Sequence, residues 1–110
     1  MKIRVPSKKV CERFYLTYEL KGAQKGVDVL TGYYRIPKMK IISDGRKVMK
    51  GYECDYFEDI ACFTKKGLKK RNVLHELYHH IASRKGLEIP EKKEEQEASR
   101  FARKIMRKSW

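Results

Sequence analysis

His75-Glu76-Leu77-Tyr78-His79 sets two imidazoles four residues apart with a carboxylate next to the first. On an α-helix that spacing puts both rings on one face, where they can share a single metal ion, and brings the glutamate alongside. Imidazole donors suit Zn2+, a Lewis acid that polarises carbonyl groups and acidifies water, and a neighbouring carboxylate can then act as general base. The pattern implies metal-assisted hydrolysis, with a zinc-dependent endopeptidase as the leading reading and Glu76 as its base.

Two histidines do not complete such a site, because a catalytic zinc ordinarily takes three protein ligands and keeps one position open. The chain has three histidines, and the third, His80, follows His79 directly and projects about 100° away around a helix. His80 therefore reads as a partly exposed bystander, and a carboxylate is required. Glu91, Glu94, Glu95 and Glu97 cluster beyond a Gly86-to-Pro90 turn that would fold a last helix back beside the motif helix. Ala98, Phe101, Ala102, Ile105 and Met106 define the inward stripe of that last helix. Glu97 lies more than about 100° from its centre, and Glu94 and Glu95 each lie about 50° away. Helical phase leaves both Glu94 and Glu95 open as the third ligand.

The elements that must position these groups follow from periodicity and punctuation. Met1 to Val5 alternates apolar and basic residues and reads as a short strand. Ser7 is an N-cap candidate for a helix over 8–20 that packs Val10, Phe14 and Tyr18 inward and ends at Gly22. From Val27 to Tyr56 the apolar period shortens toward two, and Ser43-Asp44-Gly45 marks a turn, which predicts a small antiparallel sheet. Ile60 to Thr64 is a last strand immediately before the motif helix, itself expected from about 66 to 85. Arg84 and Lys85 suit that helix's C-terminus, Gly86 its left-handed cap, and Pro90 with the acids after it the start of a helix over about 91–107.

At 110 residues the chain is long enough for one domain with one modest core. No run of 18 apolar residues occurs, and the first residues lack the apolar stretch of a signal peptide, so the expectation is a soluble cytoplasmic chain without a membrane span. Three cysteines without C-x-x-C spacing argue against a disulfide framework and a cysteine zinc knuckle, leaving only a Cys54 to Cys62 bridge to consider. The formal charge of +13 would attract polyanions. The cations are nevertheless spread along the chain outside any recognised nucleic-acid module, and abundant Lys, Glu, Arg, Ile and Tyr suit a thermophilic protein.

The pair His75-Glu76-Leu77-Tyr78-His79 and Glu95-Gln96-Glu97-Ala98-Ser99-Arg100-Phe101-Ala102 resembles the gluzincin metallopeptidases. It looks closest to the minigluzincins and to the catalytic domains of HtpX and CAAX prenyl protease, and ImmA/IrrE peptidases carry a similar second helix. The resemblance covers about residues 72 to 105. It implies His75, His79 and Glu95 as zinc ligands and puts Ser99 where the family has an Asp or Asn that receives a hydrogen bond from a ligand histidine. It also implies an exposed strand above the cleft that adds an extended peptide substrate, here Ile60, Ala61, Cys62, Phe63 and Thr64. Finally, it implies a latency-maintaining C-terminal segment, about 104–110 with Trp110, that blocks the cleft or exchanges between molecules.

The resulting expectation is a single α+β, minimal zincin-like domain over 1–110: a small antiparallel or mixed sheet packed on the motif helix, with a further C-terminal helix. Tyr52, Tyr56 and Arg103 are candidates for an oxyanion stabiliser, and the sequence does not choose among them. Two other classes of function stand beside the peptidase: a non-catalytic zinc-binding interaction module, and a basic nucleic-acid-binding protein.

Overall fold

The structure, a computed structural model, describes residues 3–43 and 54–109. Among them the fold is α+β, with four helices and a three-stranded mixed sheet. The order is α1 (Lys8–Lys21), α2 (Ala23–Tyr34), β1 (Lys40–Ile42), β2 (Cys54–Phe57), β3 (Ile60–Phe63), α3 (Lys70–Arg84) and α4 (Glu91–Lys108).

Ser7 caps α1 by accepting from the backbone N–H of Val10, and Gly22, at φ 96°, ends it and starts α2. Residues 23–34 are helical, including 27–34, which the sequence pattern assigns to the start of the sheet. Val27, Leu30, Thr31 and Tyr34 recur at helical spacing and all are buried. Their β-branched and aromatic character imitates a strand, but tertiary packing overrides that propensity. Gly26 allows the α1–α2 contact, since a Cβ there would lie 2.9 Å from the Cβ of Tyr18. Ile3 to Val5 is not a strand, although Ile3 joins the core. Asp44 and Gly45 of the expected turn lie outside the described residues, as does Tyr52.

Strand order is β1-β3-β2, with β1 parallel and β2 antiparallel to β3. The β2–β3 hairpin turns through Glu58 and Asp59, both at positive φ, as a tight two-residue loop requires. Because β3 is the middle strand, both of its edges are hydrogen-bonded, and Ala61, Cys62 and Phe63 are buried. The Ile60-to-Thr64 segment therefore has no free edge for a peptide. That part of the reading is corrected: among the described strands β2, not β3, lies at the sheet margin beside the motif helix. All three cysteines are free, and Cys54 stands opposite Phe63 rather than Cys62.

Helix α3 packs between the sheet, α2 and α4, burying Val73, Leu74, Leu77 and Ile81 completely. It ends as expected at Gly86, φ 66°, where Leu87 N–H returns to Ala82 O at 2.9 Å. Helix α4 then runs antiparallel to α3. Its first turn carries Glu91 and Glu94 and its last Arg107 and Lys108, favourable charges at both ends of the dipole. Ala98, Phe101, Ala102 and Ile105 lock it into the core, so truncating Phe101 would cost about 3–5 kcal/mol. The α4 terminus is tied to α1, with Lys108 Nζ donating to Pro6 O and Ser109 Oγ to Cys11 O. Residues 104–109 of the expected blocking segment thus finish a helix docked on α1 and do not line the cleft described below; Trp110 lies outside the described residues.

Candidate metal centre

Antiparallel packing of α3 on α4 brings His75, His79 and Glu95 together: one potential ligand atom from each lies within 4.8 Å of the others. The two Nε2 atoms are 3.3 Å apart. Glu95 reaches both rings, with Oε1 2.9 Å from Nε2 of His75 and Oε2 2.8 Å from Nε2 of His79. A tetrahedral ion about 2.0–2.1 Å from each nitrogen would separate the two by about 3.3–3.4 Å, so the imidazole pair already has the right spacing.

The opposite edges of the rings are also occupied. Nδ1 of His79 meets a carboxylate oxygen of Glu94, and Nδ1 of His75 lies 3.3 Å from Ser99 Oγ. A neutral His79 that donates from Nδ1 to Glu94 turns an Nε2 lone pair toward the carboxylate of Glu95. Two acceptors 2.8 Å apart require a second ring proton or a metal cation between them. The donor set, the ring tautomers and the spacing therefore fit a small divalent cation.

This geometry separates the two glutamates that helical phase left equivalent. Glu95 faces the Nε2 pair; Glu94, one residue earlier, faces the back of His79. The role of Glu94 as an acceptor behind His79 was missed from sequence, although its phase placed it within reach.

Glu76 sits on the same helix, 6% exposed, turned toward β2, where the Cys54 thiol donates to its Oε2 at 3.3 Å. Burial raises its pKa above the ordinary glutamate value, partly opposed by the Cys54 hydrogen bond and by His75 and His79. These groups open into a cleft of about 690 Å3 between β2, α3 and α4, whose lining includes Arg71, Asn72 and Arg103.

His80 is not the partly exposed residue expected but is completely buried. Its Nε2 donates to Pro37 O at 2.7 Å and its Nδ1 lies 2.9 Å from Tyr56 OH, so it clamps α3 to the sheet. Tyr56 and Arg103 both line the cleft, and the Tyr56 hydroxyl is engaged by Nδ1 of His80. Tyr78 turns to the far side of α3, stacking edge-on with Phe101 and donating to the buried Glu97 at 2.8 Å. Neither Tyr78 nor Glu97 touches the cleft.

No protein-family model, curated protein or solved structure matches the chain. Among the described residues, no helix is long and apolar enough to cross a membrane.

Proposed function

We propose that this protein is a zinc-dependent endopeptidase. The observation that carries the reading is the convergence of His75 Nε2, His79 Nε2 and the Glu95 carboxylate at the floor of an open cleft, with the buried carboxylate of Glu76 alongside. The mixed nitrogen and oxygen donor set favours zinc over magnesium or calcium, which prefer oxygen ligands. The resemblance of the two helical motifs to gluzincin metallopeptidases supports the same ligand set.

Zinc held there supplies Lewis acidity toward a peptide carbonyl and toward water. His75, His79 and Glu95 hold the ion, while the Glu94 carboxylate selects the Nδ1–H tautomer of His79 and Ser99 Oγ is placed to accept from Nδ1 of His75. Glu76 takes the proton of the attacking water and passes it to the departing amine; its raised pKa strengthens it as a base relative to an exposed glutamate. Arg103 and Arg71, on the cleft wall, are the available cations for the developing oxyanion or for substrate. Among the described strands, β2 lies on the cleft side of the sheet, where an extended peptide would align with it.

The deciding experiment is elemental analysis of the zinc-equilibrated protein and of Glu95→Ala, followed by peptide cleavage. One zinc per chain, weakened by the substitution, together with chelator-sensitive cleavage supports the assignment. Zinc without cleavage of any peptide would point to a metal-stabilised interaction module. Absence of specific zinc would defeat both.

A further inference from the structure

The register that faces His79 with Glu94 and His75 with Ser99 continues one turn further, where Arg71 on α3 faces Arg103 on α4. Arg71 precedes His75 by four residues and Arg103 follows Ser99 by four, and both line the metal cleft. Both also line an adjoining hollow of about 460 Å3, completed by Met106 and Arg107. None of the three guanidinium groups has an acidic or hydrogen-bonding partner among the described residues. The groove is thus polarised: Glu76, Glu94 and Glu95 surround the candidate metal site and Asp55 lines the β2 side, and one turn away arginines from two helices line the cleft with no acidic partner among the described residues. Facing guanidiniums repel each other, and a carboxylate between them would relieve that repulsion with charge-assisted hydrogen bonds.

We infer that Arg71 and Arg103, extended by Arg107, form a subsite for a peptide carboxylate close to the scissile bond. One helical turn advances about 5.4 Å, and an extended peptide about 3.3–3.6 Å per residue, so the anion lies about one or two residues from the bond cleaved. An acidic side chain or a free C-terminus supplies the same group. The inference rests on the peptidase reading for the position of the bond, but the subsite can be measured by binding alone.

The test titrates zinc-loaded Glu76→Gln protein with short labelled peptides, followed by fluorescence anisotropy. One peptide pair differs only in Glu against Gln near the centre, the other only in a free against an amidated C-terminus. The carboxylate-bearing member of at least one pair should bind on the order of tenfold more tightly, an advantage that shrinks with added salt. Whichever pair responds identifies the source of the carboxylate. In the same background, Arg71→Glu with Arg103→Glu should invert the preference toward a Lys-bearing peptide; both sites are exposed, so the fold should tolerate the exchange. Equal binding of each pair, no binding of any peptide, or a preference that survives charge reversal would overturn the subsite. So would tighter binding of a single-stranded oligonucleotide that depends on the same arginines, since that assigns the cluster to nucleic acid. Cleavage by the unmodified protein is scored separately. Selective binding without cleavage defeats the peptidase and leaves the subsite, whereas indiscriminate cleavage does the reverse.

Discussion

Glu94 accepts a hydrogen bond from Nδ1 of His79, on the edge of the ring opposite the one that faces Glu95. Adjacent glutamates on one helix thus address the two nitrogens of a single imidazole, and their replacement should have different consequences. Glu95→Ala removes a proposed metal ligand. Glu94→Ala leaves all three ligands but frees the ring to rotate and to change tautomer, so zinc affinity should fall by about 10–100-fold. Competition with a chromophoric chelator measures both. If Glu94→Ala binds zinc as tightly as the unmodified protein, the ring is held by packing alone.

Glu76 makes no contact that the metal needs, since its carboxylate turns to the Cys54 thiol rather than to the Nε2 pair. Glu76→Gln keeps the size and can still accept from Cys54, so zinc stoichiometry should be unchanged while peptide cleavage is lost. Parallel elemental analysis and cleavage assays check this. A Glu76→Gln protein that retains full peptidase activity would remove Glu76 as the base.

His80 belongs to the buried core rather than to the candidate metal site. With its ring buried between Tyr56 and Pro37, His80→Ala loses two hydrogen bonds and leaves a cavity, together about 2–5 kcal/mol. The expected outcome is a marked drop in thermal midpoint with zinc stoichiometry retained below the transition. Loss of zinc binding at full stability would instead tie His80 to the metal.

The contrast between His80 and its neighbour shows where sequence is informative. Spacing placed His75 and His79 on one face because helical phase is a local property. The burial of His80 depends on Pro37, 43 residues away in sequence, and no local pattern carries that contact. Helix α2 was legible in principle: Val27, Leu30, Thr31 and Tyr34 mark a helical stripe, but Val, Thr and Tyr are also the residues of strands. The central position of β3 was not legible. Three short strands of similar character leave their order to the tertiary fold, and parallel pairing of β1 with β3 across the intervening β2 decided it. Glu94 and Glu95 likewise stood at equal phase, and only the docking of α4 on α3 gave each its own nitrogen of His79.

Alkaline pH should reveal the buried tyrosines. Burial raises the Tyr34 pKa well above the ordinary tyrosine value, with Tyr33 and Cys11 adding to the effect, and its hydroxyl donates to Arg4 O. Burial likewise raises Tyr78, reinforced by the carboxylate of Glu97. A group that holds its proton more tightly when folded stabilises the fold fully below its unfolded pKa and loses that contribution as pH rises toward the folded value. Stability should therefore decline above about pH 10, where unfolded tyrosine ionises. Tyr34→Phe sacrifices one hydrogen bond, about 0.5–1.5 kcal/mol at neutral pH, but has no proton to lose. Urea denaturation from neutrality to beyond pH 10 should give a shallower decline for Tyr34→Phe than for the unmodified protein. Parallel curves would mean that the alkaline loss arises elsewhere.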